Sequence, residues 1–527
     1  MLTLLFLLPF GVAVETISST LVPIMEEFKV AKDPTLITIA ANTSIRIFTS
    51  KETEDAFFLF SAHCRTTNIL MSYLNNMDFE DFVNSTNPAL ITFNLTDNLG
   101  SDPSTTGVYL TNFQSHPLTI LALVRHYTSQ SPVPGWCTTR KGVWPKPFLS
   151  TAWDDAVVRL NFSRASLIHG DLGCNQKHKF KYEVYHRYLQ EGDKEEDLDK
   201  NFAYAIKTFT DIDDIRRLGS LVESLGENVD RLVFASYPPI GSLYAVVVHY
   251  QDSNSSGTAL YGVGHSYGCD LDPDTGVCPD TSHVVTKIFC GLAVFVGLIM
   301  AFAGHRFFIT SQFLFGFYAG SLIGFILLNV GHFDLGFPLL FSLTGGCGLL
   351  GAALTTGLWL VLGIPVLSIF LPTLEVGVLA ASILMFTPPL NVTSLTADLY
   401  YWLVFLCIVL ALPGVLLAFT QKASILSCIV IGTFTTVLPI DFFLGTNLRF
   451  ILVNVVRRAT APEFREAVIL PPLQTSDLAL LASWLGLALA ALVTQLLLER
   501  KKAPFPPSPF HLLRWRREID MMVSGRP

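Results

Sequence analysis

One carboxylate, Glu375, stands near the middle of an apolar run, Ile364–Phe386, that is long enough to cross a bilayer. An ionised carboxylate is costly in hydrocarbon, so a residue in that position is a candidate for binding a proton or an ion. Asp441 lies near the end of another such run, after Pro439, and no Lys, Arg or His shares either depth. The rest of the chain offers little chemistry. It has no GxSxG, HExxH, P-loop or DxDxDG pattern, and no CxxC or His/Cys spacing that suits zinc. The acidic run from Glu191 to Asp199 lacks the ligand periodicity of a calcium loop and reads as a solvated helix start. These residues predict no catalytic group, no cofactor and no metal site, hence a non-enzymatic protein.

The elements that carry Glu375 are set by an uneven charge distribution. Only 15% of the 527 residues are charged, against about a quarter in an ordinary soluble protein. Residues 1–283 carry a net charge of −12, residues 284–498 a net of zero, and residues 499–527 a net of +4. An acidic front, a nearly charge-free middle and a basic tail read as outside, membrane and cytosol. The negative total argues against a nucleic-acid partner.

Residues 1–14 read as a signal peptide: an apolar run too short to span, closed by Gly11-Val-Ala, although without a basic start. Asn-x-Ser/Thr sequons occur at Asn42, Asn84, Asn94, Asn161, Asn254 and Asn391, five of them ahead of the first span. Their one-sided placement predicts a glycosylated ectodomain. Cys269 and Cys278 suit a disulfide that closes a turn before the membrane. Cys137 and Cys174 are candidates for a second bridge, with Cys64 left over and the connectivity open. Short β-branched and aromatic runs, such as Leu36-Ile-Thr-Ile, Val157-Val-Arg-Leu-Asn-Phe and Phe180-Lys-Tyr-Glu-Val-Tyr, predict strands. We expect two β-rich, sandwich-like domains, 15–130 and 131–283. The second has a surface helix between Glu195 and Leu225, and a hairpin across Pro238-Pro-Ile-Gly.

Seven stretches between residues 284 and 498 are long and apolar enough to span, which predicts a seven-helix bundle with the N-terminus outside and the basic tail in the cytosol. His305-Arg306, Gln421-Lys422 and Glu499-Arg-Lys-Lys obey the positive-inside rule. The 445–476 loop breaks it with Arg449, Arg457, Arg458 and Arg465, and reads as an amphipathic helix along the interface. Gly316, Gly320 and Gly324 share one helix face, which suits close helix packing or a homo-oligomer contact. The tail combines a proline-rich spacer with Arg500, Lys501, Lys502, Arg514, Arg516 and Arg517, suited to anionic membrane lipid.

Phe302-Ala-Gly-His-Arg-Phe-Phe, Gln474-Thr-Ser-Asp and Pro504-Phe-Pro-Pro-Ser-Pro-Phe resemble the transmembrane 7 superfamily member 3 family, as do Pro132-Val-Pro-Gly and Tyr267-Gly-Cys269 with Cys278. The membrane half is similar to the domain shared with transmembrane protein 198. The resemblance implies a seven-span surface or endomembrane protein linked to cell survival and secretory stress, and brings no catalytic or ligand residue with it. A receptor-like regulator in the plasma membrane, with an unidentified protein partner at its ectodomain, is the reading we expect. A channel or transporter that uses the glycine-rich spans and Glu375 is the alternative. A G-protein-coupled receptor is disfavoured, because span three lacks Asp/Glu-Arg-Tyr and span seven lacks Asn-Pro-x-x-Tyr.

Overall fold

The computed structural model describes residues 24–30, 33–50, 55–73, 82–93, 105–135, 148–168, 180–189, 195–225, 230–251, 256–272, 276–279, 282–331, 335–387 and 398–500, with four positions of the tail. The predicted signal peptide lies outside them. The chain divides into an N-terminal unit, up to Pro279, and a C-terminal unit from Asp280.

The N-terminal unit holds two β-sandwiches. In the first, a five-stranded sheet runs β1 (Ile24–Lys29), β3 (Thr43–Ser50), β8 (Thr105–Asn112), β5 (Ile69–Ser72), β6 (Phe82–Ser85). Its partner sheet runs β2 (Thr35–Ile39), β9 (Leu118–Tyr127), β4 (Phe57–His63), β7 (Ala89–Phe93). Alternation sends Ile45, Ile47, Phe58, Phe60, Val108, Leu110, Ile120 and Ala122 into the core between them. β4 does not alternate: all seven of its residues are buried, as a strand covered on both faces requires.

The cover on the far face comes from the second sandwich. There a four-stranded sheet, β13 (Ser220–Leu225), β12 (Phe180–Tyr188), β15 (Ser242–Gln251), β16 (Ser256–Ser266), is joined by a three-stranded one, β10 (Leu149–Trp153), β11 (Val157–Phe162), β14 (Arg231–Ala235). Leu121 and Leu123 of β9 share one core with Leu243, Ala245, Val247 and Leu260 and with helices α1 (Glu195–Thr208) and α2 (Ile212–Leu218). Tyr127 stacks on Phe57 and accepts the Leu260 amide at 3.0 Å, which ties the two sandwiches together.

Two expectations change. The Glu195–Leu225 segment is not one surface helix but two helices and an edge strand. Its apolar residues Phe202, Ala205, Ile206, Phe209 and Ile215 are buried beneath a sheet, and Asp211 accepts the Ile212 amide to start α2. Pro238-Pro-Ile-Gly is no hairpin: β14 pairs with β11 while β15 pairs with β12 and β16, so the chain changes sheet there.

The C-terminal unit is helical: α3 (Val284–Ala303), α4 (Phe308–Val330), α5 (Phe337–Leu362), α6 (Pro365–Phe386), α7 (Asp398–Leu416), α8 (Thr420–Leu444), α9 (Phe450–Thr460) and α10 (Thr475–Leu498). Among the described residues six stretches qualify as spans by length and apolarity, and one of them, Asp398–Leu444, is 47 residues long. As a straight rod it would measure about 70 Å, more than twice a bilayer's hydrocarbon core. It is two spans. The helix breaks at Phe419, and Leu417 and Ala423 pack on the same Ile369 at the start of α6. α7 then runs antiparallel to α6, with Tyr401, Phe405 and Val409 against Ala381 and Met385.

Small residues set the closest crossings. Ideal Cβ atoms at Gly297 and Gly432 would sit 2.7 Å from Gly432 O and 2.5 Å from Ala301 N, which locks α3 to α8. Gly316, Gly320 and Gly324 of α4 lie against Gly351, Cys347 and Gly348 of α5, so the glycine face is occupied within the chain.

Gly432→Val should therefore destabilise the detergent-solubilised protein by about 1–3 kcal/mol, the usual cost of overpacking. Gly345→Ala, where nothing lies within 4 Å, should cost nothing; thermal melts check both. A second prediction concerns acid. Burial, with the His265 charge, holds His63 down to about 3, and burial holds His186 to about 3 and His265 to about 4. Each folded value lies below the ordinary 6.5, so below that pH the unfolded chain takes up more protons. Ectodomain stability should be complete above pH 6.5 and fall as pH drops towards 5, with a limiting slope of about 4 kcal/mol per unit for three histidines. Urea unfolding at several pH values measures it, and His265→Phe should remove about a third of the slope.

Candidate functional site

Glu375 sits halfway along α6, one turn after Pro372. Ser368, Pro372, Glu375, Leu379 and Ser382 follow one face at helical spacing, while Gly377, at the opposite azimuth, presses against Val409 of α7. Glu375 is half-buried as a residue, but its Oε1 is enclosed and has no hydrogen-bond partner. On the neighbouring helices Tyr318 of α4 lies close to Thr435 of α8 and within electrostatic range of Glu375. Both Tyr318 and Thr435 are buried.

At one end of the bundle, aspartates and arginines form a closed network. Asp441 accepts Thr446 Oγ1 at 2.6 Å, the Leu448 amide at 2.8 Å and the Arg449 amide at 3.1 Å. Asp477 accepts the Asn447 amide at 2.7 Å, Asn447 Nδ2 at 2.9 Å and the Gln474 amide at 2.9 Å. Gln474-Thr-Ser-Asp is thus the capping box of α10, which gives that motif a structural reason. Arg458 and Arg465 pair with Asp398 at 3.3 and 3.1 Å, and Arg458 lies 4.0 Å above the Tyr401 ring. α9 is therefore not an amphipathic helix lying on the interface. It is buried among the spans against α6 and α4, with Arg457 and Arg458 each 4% exposed. The 445–476 arginines are matched by carboxylates at the same end, so they carry little topological signal.

At the other end, Phe308, Trp359, Ile369, Ala423 and Leu417 meet where α3–α4, α5–α6 and α7–α8 turn, and Phe505 of the tail packs on His305 and Phe308 with centroids 5.6 and 5.5 Å away. Phe505 and the Phe302–Phe308 array, separate in sequence, are one contact. His305 Nδ1 meets Ser424 Oγ at 3.0 Å, and Gln495 donates to the last carbonyls of α3 at 2.6 and 3.4 Å.

In the ectodomain, Cys269 and Cys278 form a disulfide. The loop they close is fastened by Arg65, which leaves the first sandwich, donates to Gly276 O and pairs with Asp199 of α1 at 2.7 Å. Beside it lies a recess of about 120 Å³, lined by Leu189, Phe202, Ile240, Tyr267 and Leu271, with half-exposed Val277 at the lip. Sequence reasoning passed over Arg65, because only the fold brings it to residues 134 and 211 positions away. Glu183, His249 and Thr258 form a carboxylate–imidazole–hydroxyl line at 2.9 and 3.0 Å. They are neighbours on a sheet, Arg216 also contacts the imidazole at 3.3 Å, and none of the three lines the recess. Burial opposes the Glu183 charge, but hydrogen bonds from Lys181, Tyr185 and His249 prevail and hold its carboxyl down to about 2.

Asn42 is exposed in a turn at φ 52°, a backbone position that suits asparagine, and Asn84 is exposed on edge strand β6. Asn161 lies half-buried on β11. Asn94, Asn254, Asn391, Cys137 and Cys174 lie outside the described residues. Cys64 is buried beside Thr67 as a free thiol. The described residues contain no cluster of three or more metal-ligating side chains.

Replacing Asp477 with Ala should strip the α10 cap and the Asn447 clasp together, and cost about 2–4 kcal/mol in a thermal melt of the solubilised protein. Arg65→Ala should leave the membrane bundle unchanged and speed reduction of Cys269–Cys278, as read by thiol alkylation.

A family model for the TM7S3/TM198-like domain matches residues 290–496, and one for the TM7SF3-like, second immunoglobulin-like domain matches residues 132–272. Transmembrane 7 superfamily member 3 of Mus musculus is 29% identical over 428 residues, 79% of this chain and 74% of the relative. The protein of that name from Homo sapiens is 28% identical over 480 residues, 89% and 82% of the two chains. With an immunoglobulin-like region ahead of a multi-pass bundle, the chain is similar over most of its length to the transmembrane 7 superfamily member 3 family.

Proposed function

We propose that this protein is a receptor-like, non-enzymatic membrane regulator whose ectodomain binds a protein partner and whose bundle and basic tail relay the occupancy. The observation that carries this reading is the recess at the junction of the two sandwiches. It is framed by a disulfide loop and a buried arginine, walled by apolar side chains, and of a size to take one side chain of a partner. The two sandwiches share a core, so force or displacement at the recess is carried by one body. The family resemblance points to cell survival under secretory stress as the setting. We place the N-terminus outside and the basic tail in the cytosol, at the plasma membrane or an endomembrane. There the tail's arginines and lysines meet anionic lipid.

The transporter reading rested on the glycine-rich spans and Glu375. The Gly316 face is taken up by α5, and a homo-oligomer through those glycines would have to displace that helix.

In cells lacking the endogenous protein, survival of a glycosylation-inhibitor challenge should be restored by the full chain. It should not be restored by a chain lacking residues 15–283, and Val277→Asp should restore it only in part. Full rescue by the deletion would overturn an ectodomain receptor.

A further inference from the structure

We propose that Glu375, Tyr318 and Thr435 form a proton-binding site at mid-depth in the bundle, in which the Glu375 carboxyl exchanges its proton with water. This goes beyond the receptor reading and does not depend on it. The three side chains come from three helices, and their meeting is built into the packing. α4 and α8 run in the same direction, so that Ser311 lies by the Cys428 thiol and, two turns on in both helices, Tyr318 lies by Thr435. α6 brings Glu375 to the same level. Proline chemistry adds an acceptor there: Pro439, inside α8, has no amide to give the Thr435 carbonyl, which is left free of its helical bond. Pro372 does the same for Ser368, two turns before Glu375 on the same helix face.

A carboxylic acid kept for structure alone would be held by donors and acceptors, as Asp441 and Asp477 are. Each of those accepts three hydrogen bonds from the loop it clasps. Glu375 is the opposite case. Its enclosed Oε1 has no partner, and among the described residues the Tyr318 hydroxyl lies within electrostatic range of it. The charged residues of the other elements packed on α6 belong to helix ends: Asp398 on α7, Lys422 and Asp441 on α8, Arg457 and Arg458 on α9, while α5 has none. Among the described residues of these helices no cation stands at its depth, so the carboxylate is balanced by a proton, and the Tyr318 hydroxyl is the donor nearest at hand when the proton leaves. Glu375 as a whole is half-buried, which leaves it within reach of small lipophilic reagents.

Dicyclohexylcarbodiimide modifies protonated carboxyls in apolar surroundings, so it reads the site directly. The full-length protein in lipid nanodiscs would be treated between pH 5 and 9, and the adduct at Glu375 quantified by peptide mass spectrometry, with Glu375→Gln as the blank. The proposal expects modification that falls at least tenfold across that range. It also expects the midpoint to move by more than half a pH unit in Tyr318→Phe or, should that variant not fold, in Thr435→Val. Modification that is absent or independent of pH would overturn it, as would a midpoint indifferent to both variants. Protection of Glu375 by sodium at fixed pH would also overturn it, by assigning the site to an alkali cation.

Discussion

Hydrocarbon offers no hydrogen bonds, so every polar group in the C-terminal half must find its partner within the protein. Much of the bundle's design follows from that. Side chains of the Ser368, Thr373, Ser382, Thr433 and Thr436 type turn back onto carbonyls of their own helix, at 2.7 to 3.2 Å. Gln495 reaches across to the open carbonyls of α3, and Trp484 donates to Thr433. At the α8–α10 end, the two aspartates replace water for the backbone amides of a whole loop. Because they must be close to do this, the segment between the spans is drawn into the bundle and does not float above it. Glu375 is a carboxyl group whose enclosed oxygen finds no such partner, and a carboxyl, unlike a hydroxyl, can hold or release a proton there.

The ectodomain solves a different problem. A sandwich of about 110 residues has a thin core, and each of these two would leave one sheet with an apolar outer face. β4 and β15 are almost wholly buried because that face is shared: Leu121 and Leu123 meet Leu243, Ala245 and Val247 across it, with α1 and α2 filling the side. Joining two sandwiches through their sheets in this way has a cost in acid, since His63 and His265 are sealed where no proton is welcome. It also explains how Arg65, on a loop of the first sandwich, comes to fasten the disulfide loop of the second.

Much of this was legible from residue types. The spans could be read because about 20 apolar residues in a row mean one thing in a chain with charged flanks, and their ends fell within a few residues of the observed helices. The strands were legible from β-branched runs, and the disulfide from spacing before the first span. What could not be read was pairing at long range. Pro238-Pro-Ile-Gly looks the same whether the next strand pairs with the last or crosses to another sheet. The apolar stripe of Glu195–Leu225 says that one face is covered, and not by what. The arginines of 445–476 violated a rule about solvent-facing charge only because their partners, Asp398 above all, lie some 60 residues away in sequence. For the same reason Glu375 was visible as an oddity, while Tyr318 and Thr435, which give it a setting, were not.

The account rests on seven crossings, with the Asp398–Arg458 end and the Phe505 end on opposite faces of the membrane. Glycosylation mapping tests this most directly. A single sequon would be engineered either into the 466–473 segment or into the turn at 417–421, on a background lacking the natural sequons. The account predicts sugar on the first and none on the second. A glycosylated 417–421 turn, or a 466–473 site that stays bare, would contradict it.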